Sequence, residues 1–224
     1  MFFPPWCIGC GREGEYICDA CRRQLPFIYP PVCSVCGRPL TVDNTCPGCI
    51  GSQVKIDGIR APFLFNGVIR QAVHEFKYRN LKAIAPLFAG FLHDYLVENP
   101  LPYDVIVPVP IHQRRYRERG YNQSSLIARE LGRMSGLPVV DDCLIRKINT
   151  PPQVRTTSAL ERWKNIADAF ACADRRLTAK HVLLIDDVST SGATMDACAT
   201  ALKNAGAASV WGLVIALEIQ EMRI

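Results

Sequence analysis

Eight of the eleven cysteines in this 224-residue chain lie within the first 49 residues, as four pairs of the form Cys-x-x-Cys. A two-residue gap lets both thiolates of a tight turn bind one metal ion, and two such turns complete a tetrahedral site. Because every ligand position is a cysteine and none is left for water, the pattern predicts structural zinc and not a hydrolytic centre. A disulfide framework is the alternative, which we disfavour because cytoplasmic thiols are mostly kept reduced.

The four pairs predict two metal sites, and sequential pairing gives each site one turn that is followed by a glycine. Gly11 and Gly37 directly follow the second cysteine of their turns, where a positive φ helps the backbone fold around the sulfur atoms. An interleaved pairing also fits the spacing. We expect two structural zinc ions with sequential ligand sets, namely Cys7, Cys10, Cys18 and Cys21 for one, and Cys33, Cys36, Cys46 and Cys49 for the other.

After the cysteine pairs, the composition becomes that of an ordinary globular domain. The chain is 49% hydrophobic and 21% charged, and its net charge of +5 suits an anionic small molecule as well as nucleic acid. No segment approaches the roughly 20 apolar residues of a membrane span, and the opening MFFPPWCIGC lacks the apolar run of a signal peptide. We expect a soluble cytoplasmic protein with a zinc-ribbon module over 1–54 and a larger domain over 55–224.

The larger domain alternates between apolar strands and amphipathic helices. Continuous apolar strands separated by helices indicate a mainly parallel sheet covered on both faces, so the predicted fold class is α/β. A helical segment is predicted over 67–98, with further helices at 122–136, 150–166 and 193–206. Strands are predicted at 57–67, 104–110, 139–147, 168–172, 181–188 and 209–219.

The stretch VLLIDDVSTSGAT, residues 182–194, indicates a ligand site. A buried strand ends in Asp186 and Asp187, and a small loop then opens onto a helix. In an open parallel sheet, ligands bind at the carboxyl ends of the strands, and the free N–H groups of a helix N-terminus attract an anion. Helix capping is the simpler alternative, although two unpaired carboxylates at a strand end are costly. The loop residues that suit a phosphate are Ser189, Thr190, Ser191, Gly192, Ala193 and Thr194.

These residues resemble the phosphoribosyl-pyrophosphate-binding motif of type I phosphoribosyltransferases. The wider sequence is similar to the ComF family of competence-associated, amidophosphoribosyltransferase-like proteins. The matching segments are VPVPIHQRRYRERGYNQSSLIA, PPQVRTTSALERWKNIADAF, the motif itself and the cysteine pairs. Two positions depart from the family pattern, since Ser189 replaces an aliphatic or aromatic residue and TSG replaces the commoner TTG. Both departures keep the loop small.

The resemblance implies a type I phosphoribosyltransferase fold that binds phosphoribosyl pyrophosphate with Mg²⁺ and transfers the phosphoribosyl group to an unidentified acceptor. Asp186 and Asp187 would hold the ribose hydroxyls, directly or through Mg²⁺, and residues 189–194 would bind the ribose phosphate. A mobile loop containing Gln153, Arg155 and Arg162 would close over the site. Guanidinium groups suit a pyrophosphate, although an exposed basic helix start is the alternative. The expected pyrophosphate-binding residues are Pro110, Ile111, His112, Arg114, Arg115 and Arg119, with Arg117 between them.

The competing interpretation is a non-catalytic factor that binds nucleic acid or assembles the competence machinery. Resemblance to ComF implies a role in DNA uptake during natural transformation, with a competence helicase or other DNA-uptake proteins as partners. Tyr78 offers a stacking surface for a base, so single-stranded DNA is the expected nucleic acid. The positive charges near the cysteine module are Lys55, Arg60, Arg70, Lys77, Arg79 and Lys82.

Overall fold

The parallel sheet predicted from the sequence forms the centre of the larger domain in a computed structural model, which describes residues 4–41, 45–147, 169–172 and 174–219. In the order in which they lie side by side, its strands are β1 (Gly58–Arg60), β7 (Ser209–Leu217), β6 (His181–Ser189) and β3 (Val105–Pro108), and the short β2 (Phe63–Leu64) also pairs with β7. Every one of these pairings is parallel.

Helices connect the strands and cover the sheet. The described α-helices are α1 (Asp19–Arg22) in the cysteine module, then α2 (Gly67–Tyr78), α3 (Ala85–Glu98), α4 (Gln113–Arg119), α5 (Gln123–Ser135) and α6 (Ala193–Asn204). A 3₁₀ turn (Lys82–Ile84) links α2 to α3, and a second one (Arg175–Leu177) precedes β6. The helix predicted over 150–166 lies outside the described residues.

The central strands are buried on both faces because apolar side chains occupy both sets of alternate positions. Leu183 and Ile185 of β6 lie in one core with residues of α2, α3 and α5. Val182 and Leu184 lie in a second core with residues of α6. The predicted α/β class with a mainly parallel sheet is therefore confirmed.

Two predicted strands differ from those observed. The first is divided into β1 and β2, which flank Pro62, a residue without the N–H that a strand ladder uses. In the second, Val139 makes an isolated parallel bridge to Ile106, and the chain then turns before forming β4 (Leu144–Arg146). Strand β4 pairs antiparallel with β5 (Phe170–Cys172). The chain bends at Asp142 and Cys143, and Asp142 is the second of two adjacent aspartates, a residue type that is disfavoured in strands.

The cysteine module packs against the larger domain. Ile17, Cys21 and Leu25 belong to the same buried cluster as residues of α2 and α3. Arg22 of α1 lies over the ring of Phe91, with its guanidinium carbon 5.0 Å from the ring centroid. The boundary predicted between residues 54 and 55 stays a prediction. Within the described residues, none of the helices has the length and apolar character to cross a membrane.

Candidate functional site

The structure groups the eight N-terminal cysteines into the two sequential sets. Within each set, the four Sγ atoms lie within 4.8 Å of one another, and the described residues contain no disulfide. Cys10 and Cys18 have their Sγ atoms 3.6 Å apart, and Cys36 and Cys46 have theirs 3.7 Å apart. A tetrahedron with Zn–S bonds of about 2.3 Å has edges of about 3.8 Å, so both sets fit a zinc ion.

Backbone N–H groups stabilise the thiolate form of the first cysteine in each set. Cys18 N–H donates to Cys7 Sγ at 3.4 Å, and Cys46 N–H donates to Cys33 Sγ at 3.3 Å. Although burial acts to raise the pKa of Cys7, N–H donation from Cys18 and other backbone groups lowers it to about 6. The pKa of Cys33 is likewise lowered to about 6 by backbone donation that outweighs burial.

We expect metal analysis of freshly prepared protein to find about two zinc ions per chain, because each cysteine set supplies all four ligands of a tetrahedral site. Mass spectrometry under non-denaturing conditions gives the same count from the intact chain. A single zinc ion per chain, or cysteines that are already oxidised, would contradict the two-site assignment.

The two predicted carboxylates lie at the carboxyl end of β6, where they have different partners. Asp186 Oδ1 accepts from Ser124 Oγ at 2.8 Å and from Asp187 N–H at 2.9 Å. Asp187 Oδ1 lies 2.7 Å from Lys77 Nζ at the end of α2. The structure thus positions one acid with a hydroxyl from α5 and the other with an ammonium from α2.

Burial and the neighbouring Asp187 carboxylate raise the pKa of Asp186 to about 6, against lowering by the Lys77 ammonium and the Ser124 hydroxyl. The proton is favoured on Asp186 because the half-buried carboxylate loses hydration and faces a second negative charge. At neutral pH the ionised Asp186 carboxylate is therefore held at a cost in folding free energy, as is common for functional groups.

Asp186→Asn is expected to stabilise the protein by about 3 kcal/mol at pH 7.5 and by much less at pH 4.5. A carboxyl group whose pKa is raised on folding contributes stability to the folded state at a pH below its pKa in the unfolded chain, which is near 4. That contribution is lost as the pH rises through about 6, the pKa of Asp186 in the folded protein. The asparagine keeps an oxygen that accepts from Ser124. Urea denaturation of both proteins at the two pH values measures the difference.

The exposed Asp141, which pairs with Arg129 at 2.6 Å, provides the control substitution Asp141→Asn. An Asp186→Asn effect of the same size at pH 4.5 and pH 7.5 would contradict the raised pKa.

The predicted phosphate loop lies between β6 and α6. Gly192, the N-cap residue of α6, has φ of 78°, a conformation that favours glycine. A Cβ atom at this position would lie 3.1 Å from Cδ1 of Ile59 in β1. Ser189 and Ala193 are buried, whereas Thr190 is exposed and Ser191 and Thr194 are half-buried. The first turn of α6 thus follows the acidic pair closely in the sequence. Its backbone N–H groups lie at the same end of β6 as the two carboxylates.

The start of α6 is attached to the segment that follows the cysteine module. The buried Asp196 Oδ1 accepts from the backbone N–H of Lys55 at 2.5 Å and from that of Ile56 at 2.9 Å. Asp57 Oδ2 accepts from Val210 N–H at 2.6 Å and pairs with Lys203 at 2.8 Å. Two aspartates therefore fix residues 55–57 to α6 and β7.

The predicted pyrophosphate loop follows β3, the strand beside β6, so both strands present their carboxyl ends at one edge of the sheet. Asn122 Nδ2 donates to Val109 O at 2.9 Å, which ties the start of the loop to α5. His112 caps α4, where its Nδ1 accepts from Arg114 N–H at 3.1 Å. The half-buried Pro110 and Ile111 complete the turn that leads to this cap.

The basic residues of α4 are divided between partners. Arg114 is exposed and pairs with Glu118 at 3.0 Å. Arg119 lies over the ring of Tyr78 at 5.3 Å and donates to Gln123 Oε1 at 3.1 Å. Arg115 is half-buried and Arg117 is exposed. Pyrophosphate binding by these residues stays a prediction, as does the mobile loop, because Gln153, Arg155 and Arg162 lie outside the described residues.

Three residues of the site were not predicted as ligand-site residues. Ser124 belongs to the segment that carries the family resemblance and to the helix predicted over 122–136, but neither feature marks it as a partner of Asp186. Asp196 had only the local pattern of an acid in a first helical turn. Lys77 was assigned only to a general basic surface, because its role depends on how α2 packs beside the end of β6.

Two family models match the chain in the order that the structure shows. One, described as a double zinc ribbon domain, matches residues 1–50, and the other, described as a phosphoribosyl transferase domain, matches residues 87–218.

Curated relatives cover most of the chain. Competence protein ComFC of Bacillus subtilis (strain 168) is 28% identical over 205 residues, which are 88% of this chain and 82% of that protein. Competence protein F of Haemophilus influenzae (strain ATCC 51907 / DSM 11121 / KW20 / Rd) is 28% identical over 228 residues, with 95% and 97% covered. DNA utilization protein YhgH of Escherichia coli (strain K12) is 29% identical over 214 residues, with 87% and 93% covered. The resemblance to the ComF family is confirmed.

Proposed function

Because the chain belongs to the phosphoribosyl transferase domain family and carries a double zinc ribbon before that domain, we propose that it binds phosphoribosyl pyrophosphate together with Mg²⁺. It transfers the phosphoribosyl group to an acceptor, in a cytoplasmic, ComF-like role in DNA uptake. The observation that carries this proposal is the acidic pair Asp186 and Asp187, placed at the strand end directly before a helix N-terminus. The names of the competence relatives support the biological role.

Each part of the ligand has matching groups in the chain. Asp186 and Asp187 accept hydrogen bonds from the two ribose hydroxyls, and Ser124 keeps Asp186 in position through its 2.8 Å hydrogen bond. The N–H groups of the first turn of α6 bind the ribose phosphate, where the helix dipole favours negative charge. The loop that begins at Pro110 lies at the same sheet edge and takes the pyrophosphate. The acidic pair and the ligand oxygens suit Mg²⁺, a cation that prefers oxygen ligands and supplies charge neutralisation when bound.

The reaction is substitution at the anomeric carbon. The bond from this carbon to the pyrophosphate oxygen breaks with its electron pair, the acceptor forms the new bond, and the acceptor proton passes to solvent. Positive charge develops on the ribose ring in the transition state, and the Asp186 and Asp187 carboxylates stabilise it electrostatically. The basic side chains of α4 stabilise the pyrophosphate as its charge grows.

Titration calorimetry of the zinc-loaded chain tests the proposal. We expect the Mg²⁺ complex of phosphoribosyl pyrophosphate to bind more tightly than ribose 5-phosphate or Mg²⁺–pyrophosphate alone, because only the complete ligand contacts every part of the site. Equal affinity for the three ligands would contradict it. An acceptor screen that monitors pyrophosphate release then identifies the second substrate.

A second candidate function is binding of single-stranded DNA without catalysis, in assembly with competence partners such as a helicase. It is favoured by Tyr78, which is 64% exposed next to Arg119 and therefore offers a cationic aromatic surface. Two of the basic residues assigned to this surface are occupied elsewhere, since Lys77 contacts Asp187 and Arg60 lies over Trp211. DNA affinity whose logarithm falls linearly with the logarithm of salt concentration supports this function. Absent or salt-independent binding, together with measurable pyrophosphate release, excludes it in favour of the enzyme.

A further inference from the structure

Lys77 places a positive charge on the acidic pair of the ligand-free protein. Its Nζ lies 2.7 Å from Asp187 Oδ1, and the two side chains are only 21% and 8% exposed. An ion pair this enclosed is weakly screened by salt, unlike the exposed ion pairs elsewhere on the chain. The contact joins the end of α2 to the end of β6, which are 110 positions apart in the sequence.

The end of α2 is fixed, so the Lys77 contact follows from packing. Phe76 is fully buried, with its ring 5.5 Å from that of Phe88 and 5.9 Å from that of Tyr121. The Tyr121 hydroxyl donates to Phe76 O. Because Phe76 is held through both its ring and its carbonyl, the half-buried Lys77 that follows it is positioned to contact the Asp187 carboxylate.

A divalent cation and this ammonium compete for the same carboxylate. Mg²⁺ binds carboxylate oxygens at about 2.0–2.1 Å, and it repels a positive charge that is already hydrogen-bonded to the same group. A phosphoribosyl ligand changes this balance because its hydroxyls replace the ammonium as donors. Its phosphate oxygens also offer the released ammonium a new partner.

We propose that Lys77 occupies the cation position of the acidic pair until the phosphoribosyl ligand arrives, so that the metal enters with the ligand and not before it. This inference rests on the proposed function for the identity of the ligand. Lys77 is therefore a positioning residue that couples metal binding to ligand binding. The free protein takes up little divalent metal at this site, and the carboxylates stay paired.

The test uses Mn²⁺ alone as a probe for Mg²⁺. Its binding to the full zinc-loaded chain is measured by electron paramagnetic resonance, which detects the free ion. Removing the Lys77 charge removes both the competing partner of Asp187 and its electrostatic repulsion of a metal ion at the same carboxylate. We therefore expect Lys77→Met to bind Mn²⁺ at least about tenfold more tightly than wild type. Lys77→Arg keeps the charge and should bind Mn²⁺ as wild type does. Lys180→Met is the charge-matched control, because the exposed Lys180 lies just before the start of β6, at the far end of the strand from Asp187.

A second measurement separates this inference from the proposed function. Titration calorimetry should show that Mg²⁺ tightens binding of phosphoribosyl pyrophosphate more in wild type than in Lys77→Met. If Lys77→Met does not fold, Lys77→Gln replaces it in both measurements. Equal Mn²⁺ affinity in wild type and the uncharged variant overturns the inference, whatever the ligand does. Tighter Mn²⁺ binding in the variant, with no phosphoribosyl pyrophosphate binding in either protein, supports the cation competition and overturns the proposed function alone.

Discussion

The double substitution Asp186→Asn with Asp187→Asn is expected to weaken binding of the Mg²⁺ complex of phosphoribosyl pyrophosphate by at least about a hundredfold. Hydrogen bonds to charged groups contribute about 1.5–3 kcal/mol each, so removing two charged acceptors costs about 3 kcal/mol or more. Both side chains keep their shape in the asparagine variant, because the substitution changes charge and one oxygen in each residue. Titration calorimetry at pH 7.5, above the raised pKa of Asp186, measures the loss.

The chain supplies a matched control for this experiment. Asp141 and Asp142 are also adjacent aspartates, but their partners are the exposed Arg129 and Arg176, at 2.6 Å in each case. Asp141→Asn with Asp142→Asn makes the same chemical change at the protein surface and should leave ligand affinity within about twofold. Unchanged affinity in the Asp186 and Asp187 double variant would refute the assignment of the ribose site.

Removal of the second zinc ion is expected to disturb the phosphate loop as well as the cysteine module. The sequence alone predicts a narrower effect, confined to the first fifty or so residues, because a metal stabilises its own module. The structure shows a wider connection. Ile59 N–H donates to Val35 O at 2.8 Å, and a Cβ atom added at Gly37 would lie 2.4 Å from Ile59 O. The Ile59 side chain in turn lies against Gly192.

The β1 segment makes further contacts with the cysteine module, with β7 and with α6. Arg60 donates to Ser34 O at 3.1 Å while its guanidinium carbon lies 5.0 Å from the Trp211 ring centroid. Just before β1, Lys55 and Ile56 donate to Asp196 in the first turn of α6. Loss of the second metal is therefore expected to loosen β1, which contacts Gly192 of the phosphate loop through Ile59. Ligand affinity should fall by about tenfold or more if the loop loses one or two such contacts.

The test compares hydrogen-exchange rates in two variants. Cys36→Ser removes one ligand of the second site, and Cys172→Ser replaces a half-buried cysteine outside both sets. We expect exchange to accelerate at 55–60 and at 193–197 in Cys36→Ser and to stay unchanged there in Cys172→Ser. Acceleration confined to residues before 55, with wild-type ligand affinity, would show that the module and the phosphate loop are independent.

The sequence by itself determined the features that depend on neighbours along the chain. The Cys-x-x-Cys spacing identified the metal ligands, and the alternation of apolar strands and helices identified the sheet. The position of Asp186 and Asp187 at a strand end followed from the four apolar residues before them. Each of these signals has a short range, because a turn, a strand or a helix cap is set by residues a few positions apart.

Only the tertiary structure decided which distant residues complete the site. Lys77 meets Asp187, and Lys55 meets Asp196, across more than a hundred positions of sequence. These contacts depend on how α2 and the segment after the cysteine module pack on the sheet, which is set by the shapes of buried side chains from many elements at once. From the sequence alone, a basic residue near the end of a helix is predicted to be solvent-exposed, because the charge pattern carries no information about what the helix packs against.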